Sequence, residues 1–152
     1  METTPKIPHG FYFALLEFLM SAKHQLVGIS SGFGLTTMQT MTLLLTKASE
    51  PHPISSYCKL YNCDPSNITG IVDGLEQKGL VARKEDPRDR RIKVIHLLPA
   101  GQKLQDEIIK KLAEVSGFLF DPLDKDEAQQ FVRIIEKLAA YNRALYCPTT
   151  NK

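Results

Sequence analysis

Several things are scarce in this sequence, and each shortage removes a class of function. Its apolar runs are too short and interrupted to cross a bilayer, which takes about 20 consecutive apolar residues, so no membrane partner is expected. The opening METTPKIPHG has no apolar segment behind a basic start, so no secretory signal is read there and a cytoplasmic location is expected. Cysteine is sparse: Cys58, Cys63 and Cys147 cannot all pair within one chain and no Cys-x-x-Cys occurs, so reduced thiols are expected. His9, His24, His52 and His96 are scattered without ligand spacing, which gives no reason to expect a metal or any other cofactor. Neither glycine-rich nucleotide loop is present, nor is a G-x-S-x-G elbow, so an enzyme is not expected. The net charge of +2 is small, so any argument from charge has to be local.

What is present is an ordinary globular composition, 43% hydrophobic and 24% charged. A chain of 152 residues is one domain's worth. It can bury roughly 68–70% of the surface that its unfolded form exposes, enough to fold without staples. The informative stretch runs from Asp64 to Arg91. Asp64 is placed to accept from the first N–H groups of a helix, Pro65 suits the first helical position, and Gly79 supplies a left-handed stop. Within it, Ile68, Ile71, Val72 and Leu75 share one face. Ser66, Gly70, Asp73 and Gln77 lie opposite, flanked by Asn67 and Thr69. An outer face of small, uncharged hydrogen-bonding groups around a glycine suits a major groove, where such side chains pair with base edges.

A hairpin follows. Val81–Glu85 reads as a strand, Asp86-Pro87-Arg88-Asp89 as a turn, and Arg91 to about Leu98 as the returning strand. Between Arg83 and Lys93 stand six basic residues (Arg83, Lys84, Arg88, Arg90, Arg91, Lys93) and three acidic ones. That local excess of positive charge is larger than the whole chain's. A planar guanidinium at such a tip can enter a narrow minor groove or fork onto phosphate.

Upstream, helices are predicted from His9 to Ile29, with Ser30-Ser31-Gly32-Phe33-Gly34 as the stop, from a Thr36 or Thr37 cap through Ala48, and over about Ile54 to Tyr61. Glu50-Pro51-His52-Pro53 breaks the second of these. The third is separated from the Asp64 helix only by a short turn, the arrangement of a helix-turn-helix. Downstream, a fifth helix is predicted from Pro99 until Gly117 and Asp121-Pro122, and a last one over about Lys125 to Tyr146. The fold class expected is mainly α with a small β-wing: a single domain over 1–152 with its winged lobe at 36–98.

The D-P-R-D-R-R wing, following a helix that ends in E-Q-K-G-L-V, resembles the winged helix-turn-helix of the multiple-antibiotic-resistance regulator (MarR) family, and the resemblance covers nearly the whole chain. It implies a homodimeric transcriptional regulator, most often a repressor, bound to a pseudo-palindromic operator in double-stranded DNA. The helices at 9–30 and 99–146 would then make the dimer. DNA contacts are expected from Ser66, Asn67, Thr69, Gly70, Gln77, Arg83, Lys84, Arg88, Asp89, Arg90 and Arg91. By the family pattern Arg91 would be the tip contact and Asp89 its internal partner. The family's Thr cap after the wing is missing, because Leu97-Leu98 stands there.

A small aromatic or phenolic effector is a further expectation, with Phe11, Phe18, Tyr57 and Tyr61 as candidate lining, although aromatic residues at helical spacing also suit a plain core. Two alternatives stay open. One is a thiol-based redox regulator, for which Cys58 and Cys63 lie near the reading turn, whereas the cysteine that peroxide-sensing members carry near the start of the first helix is absent. The other is a winged helix that serves as a protein-interaction module without reading DNA.

Overall fold

The computed structural model describes residues 7–49 and 52–146. Most of the N-terminal tail expected over residues 1–8, the Glu50-Pro51 break and Cys147 therefore lie outside the described residues. Among the described residues seven helices and three strands follow in the order α1 (His9–Gly32), α2 (Thr37–Leu45), β1 (His52–Pro53), α3 (Ile54–Tyr61), α4 (Pro65–Gln77), β2 (Val81–Glu85), β3 (Lys93–Leu97), α5 (Pro99–Glu114), α6 (Gly117–Phe120) and α7 (Lys125–Tyr146).

Helix ends follow from local chemistry. Helix α1 runs through Ser30 to Gly32, past the predicted end, because Ser30 donates its hydroxyl back to the Leu26 carbonyl at 2.7 Å and so hides its polar group inside the helix. Gly34 then takes φ +65°, with the Leu35 N–H reaching the Ser30 carbonyl at 3.0 Å. Thr36, not Thr37, caps α2: its Oγ1 accepts from the Gln39 N–H, and Gln39 Oε1 accepts from the Thr36 N–H, a complete capping box. The stop of α3 is left-handed Asn62 (φ +48°), with Cys63 N–H on the Cys58 carbonyl. Gly79 ends α4 at φ +67°, as predicted. The predicted Asp64 cap is a correction: Asp64 sits at the position but its side chain makes no cap hydrogen bond, and Pro65, which has no N–H to satisfy, begins the helix.

The core of the lobe is the apolar face of α4 (Ile68, Val72, Leu75) closed over by Leu43 of α2, Tyr57 of α3, Val81 and Ile95 of the wing and Ile108 of α5. Each such side chain contributes roughly 1.5–3 kcal/mol through its removal from water. The sheet is antiparallel in the order β1-β3-β2, with Val81 opposite Leu97 and Glu85 opposite Lys93. Strand β3 begins at Lys93, two residues later than predicted, because Arg91 and Ile92 belong to the turn: the Ile92 carbonyl accepts from the Asp86 N–H and its own N–H donates to Asp89. Strand β1 was not foreseen. It pairs His52 with Ile95 and Pro53 with Val94, and two residues carry no periodicity to read.

The predicted fifth helix divides in two. Helix α5 stops at Glu114 and short α6 follows, bringing Phe118 to 6.5 Å and Phe131 of α7 to 6.1 Å from the ring of Phe18. Asp124 starts α7, accepting from the N–H groups of Asp126 and Glu127 while Glu127 accepts from the Asp124 N–H.

Helix α5 is seated on the wing at Gly101, where an added Cβ would stand 2.0 Å from the Leu80 carbonyl oxygen, the same oxygen that accepts from the Leu98 N–H. Backbone cannot step aside there. Gly101→Ala is therefore expected to destabilise the fold by about 1–3 kcal/mol, read as a lower urea midpoint at unchanged slope. An unchanged midpoint would mean that α5 is not held this close.

Candidate nucleic-acid interface

Helix α4 turns Ser66, Asn67, Thr69, Gly70 and Gln77 to solvent, so the five groups expected to meet DNA on this helix share its exposed side. An added Cβ at Gly70 would meet nothing within 4 Å, which leaves open space over the middle of the face. Thr69 is already partly committed, its Oγ1 donating to the Pro65 carbonyl at 2.9 Å. Toward a base its hydroxyl can only accept, so adenine N6 and cytosine N4 are its possible polar partners.

Basic residues of the hairpin fall into two groups. Arg83 turns back onto α4: its Nη1 lies 2.6 Å from Asp73 Oδ1 and also pairs with Glu76, and its Nη2 donates to the Thr69 carbonyl at 3.0 Å. Glu76 accepts in addition from the Arg83 backbone N–H at 2.7 Å. Arg83 is thus a brace between recognition helix and wing, and its charge is largely spent on two carboxylates. Sequence reading missed Asp73 and Glu76 as its partners; the available signal was two carboxylates three residues apart on the helix edge nearest the strand. Lys84 is exposed, and Lys93 pairs with Glu85 across the hairpin at 2.9 Å.

At the tip, each of two arginines follows an aspartate by two residues and is gripped by it. Asp86, almost fully buried, accepts from the Arg88 N–H at 2.8 Å and lies 3.4 Å from its Nε. Asp89 accepts from the Arg91 N–H at 3.0 Å, from its Nε at 3.1 Å and from its Nη2 at 3.1 Å. Arg91 therefore presents a planar fork that is aimed by Asp89 while its side chain stays 91% exposed. Arg90 is exposed between them, with no polar partner among the described residues. The Arg88 backbone and side chain hold the Asp86 carboxyl below the usual carboxylate range, and the side chain and backbone of Arg91 do the same for Asp89.

The four residues named for an effector are not brought together. Phe11 is exposed on α1 against Tyr12, and Phe18 faces Phe118 and Phe131. Tyr57 is buried with its hydroxyl 2.9 Å from Thr46 Oγ1, and Tyr61 lies next to it with its hydroxyl 3.2 Å from Thr42 Oγ1. Tyr57 belongs to the core of the lobe, and half-buried Tyr61 packs against it. Burial pushes the Cys58 thiol upward, and nearby Cys63 adds to that, so Cys58 is held as thiol and not as the nucleophilic thiolate. Among the described residues no group of three or more His, Cys, Asp or Glu side chains is placed to hold a metal ion.

A short helix, a tight turn, a second helix with an open polar face and a braced basic hairpin define a winged helix-turn-helix. Residues 35–93 match the MarR family model. The chain is 36% identical over 73 residues to YsmB, an HTH-type transcriptional regulator of Bacillus subtilis, a match that spans 48% of this chain and 50% of that one. It is 28% identical over 104 residues to the HTH-type transcriptional repressor NicR of Pseudomonas putida, covering 68% of this chain and 66% of the relative. In fold it is similar to CouR from Rhodococcus jostii RHA1, crystallised with p-coumaroyl-CoA, with a TM-score of 0.71 at 24% identity over 95% of this chain and 96% of that one. Over residues 35–93 the chain is similar to the MarR family of winged-helix transcriptional regulators.

The two tip carboxylates give the wing a defined acid response. Their values are lowered on folding, so their contribution is complete above the unfolded carboxylate value of about 4 and is lost as pH falls through the lower folded values. The Arg88 and Arg91 amide resonances are expected to be flat from about pH 8 to about pH 5 and to move only below about pH 4, and Asp89→Asn should abolish the Arg91 step alone. A step near neutrality would assign the turn to other groups.

Proposed function

We propose that the protein is a homodimeric, sequence-specific DNA-binding repressor that acts in the cytoplasm and is released from a pseudo-palindromic operator by a small effector. The observation that carries the DNA part is the pairing of an open, uncharged face on α4 with the Asp89-aimed fork of Arg91 beside it. In this reading Asn67, Thr69 and Gln77 read base edges, Ser66 holds phosphate, Gly70 allows close approach, and Lys84, Arg88, Arg90 and Arg91 meet the backbone or the minor groove. Arg83 serves by bracing the wing. A protein-interaction module would have no use for a carboxylate-aimed arginine at the tip.

Dimerisation is supported by apolar surface that the single chain leaves uncovered: Phe13, Leu16 and Met20 on α1, and Ile134, Leu138 and Tyr141 on α7, all more than half exposed. Exposed apolar surface concentrated on two helices suits an association surface. The segments 9–30 and 99–146 are accordingly read as the dimer frame and 36–98 as the reading lobe. No helix among the described residues is long and apolar enough to cross a membrane. NicR is a repressor, which supports repression here, and CouR binds p-coumaroyl-CoA, whose acyl group is phenolic, which supports an aromatic or phenolic effector. Phe11 and Phe18 remain available to such a ligand on α1, whereas buried Tyr57 would be reached only by opening the lobe.

Binding measurements on selected duplexes test the DNA reading. Gly70→Ala should keep or raise stability, by up to about 1 kcal/mol from helix propensity, yet weaken DNA binding because its methyl stands between helix and groove. Arg91→Ala should lower the magnitude of the log K against log[salt] slope by about 0.9 for a lost phosphate contact and erase any A·T preference in the flanks. Wild-type affinity and slope in both variants would refute the interface.

Sedimentation tests the assembly. A dimer is expected at micromolar concentration, with Leu138→Glu shifting it toward monomer. A wild-type monomer would end the dimer reading.

A further inference from the structure

Helix α2 ends inside the molecule. Leu43 and Thr46 at this end are fully buried and Leu44 is half-buried, and the backbone meets their carbonyls only in part, through the Thr46 N–H on the Leu43 carbonyl at 3.2 Å. They are satisfied from another element: Gln105 of α5, itself 8% exposed, donates through Nε2 to the carbonyls of Leu43 (2.9 Å), Leu44 (3.2 Å) and Thr46 (3.1 Å). The amide cannot be reversed without loss, because its Oε1 accepts from Gln102 Nε2 at 3.1 Å.

The other side of the same helix end is tied to α3. Thr46 donates its hydroxyl proton to the Thr42 carbonyl at 2.7 Å, so at the 2.9 Å contact between the Thr46 and Tyr57 hydroxyls Tyr57 must be the donor. One turn earlier, Thr42 meets Tyr61 at 3.2 Å. A single buried joint therefore connects α5, which belongs to the proposed dimer frame, through the end of α2 to α3, the helix that supports α4 from behind.

We infer that Gln105 is a positioning residue for DNA recognition: by capping α2 from α5 it sets the angle of the reading lobe on the dimer frame, and hence the half-site spacing that the dimer accepts. Apolar contacts between the same helices would hold them together over a range of rotations. Two N–H groups of one amide, shared among three carbonyls, hold one rotation, because hydrogen bonds weaken steeply with angle. This inference rests on the dimeric DNA reading above for its spacing consequence, but not for the joint itself.

The test uses Gln105→Met, which keeps length and bulk and removes the donor, on the full-length protein. Affinity is measured for a single half-site and for palindromes whose half-site separation is varied in steps of one base pair, and hydrogen exchange is followed without DNA. The expected result is a dimer with wild-type half-site affinity, about tenfold weaker binding at the best spacing, a flatter spacing profile and faster exchange in α3. Equal losses for half-site and palindromes would overturn the inference and leave Gln105 a stabilising residue only. So would an unchanged profile. If the wild type binds no palindrome better than a half-site, it is the dimeric reading that fails, and exchange decides the joint: faster exchange in α3 upholds it and unchanged exchange overturns it. Should Gln105→Met not fold, Tyr61→Phe, which deletes only the contact to Thr42, is expected to flatten the profile and speed exchange in α3, and a wild-type profile with unchanged exchange there would overturn the inference.

Discussion

A helix that ends in the protein interior must have its terminal carbonyls met by other groups, and the arrangement of this molecule depends on how α2 meets that demand. Each orphan acceptor left dry costs about 1–3 kcal/mol, so the end of α2 either carries partners or the lobe is markedly weakened. One glutamine on α5 meets three of these carbonyls, and hydroxyls on α3 tie down the opposite face of the same turn. The helix-turn-helix is thereby fixed to α5 by directional bonds, where a greasy contact would have left it free to slide. Close approach at Gly101 reinforces the same seating from the wing side, since only a residue without a side chain lets α5 lie against the Leu80 carbonyl.

The wing uses arginine in two ways, and what separates them is the geometry of the neighbouring carboxylates. Arg83 stands beside two carboxylates of α4 that leave little of its charge for a ligand, so the hairpin is pinned to the recognition helix and both present themselves together. Asp89 lies along the Nε edge of Arg91, so it orients the fork without hiding it. A positive field alone would need neither arrangement. In the exposed Arg91–Asp89 pair the energetic gain is small, and what it contributes is preorganisation.

Similarity to known regulators is uneven along the chain for a related reason. The family model spans 35–93, which is nearly the whole winged helix-turn-helix, whereas likeness in fold extends over almost the entire chain at 24% identity. Residues that must face a fixed partner of fixed chemistry constrain sequence directly. A long helix that only has to bury a stripe accepts any apolar residue of about the right size, so its resemblance survives in shape and fades in letters.

By itself, the sequence determined the elements whose signals are local. Caps, left-handed stops and apolar spacing placed α3, α4 and β2 where the structure has them, and the family pattern that D-P-R-D-R-R resembles pointed to Arg91 and to the aspartate that grips it. Local signals also misled: Asp64 looked like a cap and makes none, and the stripe from Leu104 to Leu119 ran across the break between α5 and α6. Tertiary structure alone decided the rest. Arg83 reads like any other wing cation until Asp73 and Glu76 are set beside it, Tyr57 and Tyr61 read like pocket lining until their hydroxyls meet Thr46 and Thr42, and β1 exists only because β3 is there to pair with it. Gln105 shows the reason most plainly. A glutamine in an amphipathic helix is indistinguishable from a solvated one by spacing, and its partners lie about 60 residues away, so only the fold that buries the end of α2 gives it carbonyls to cap.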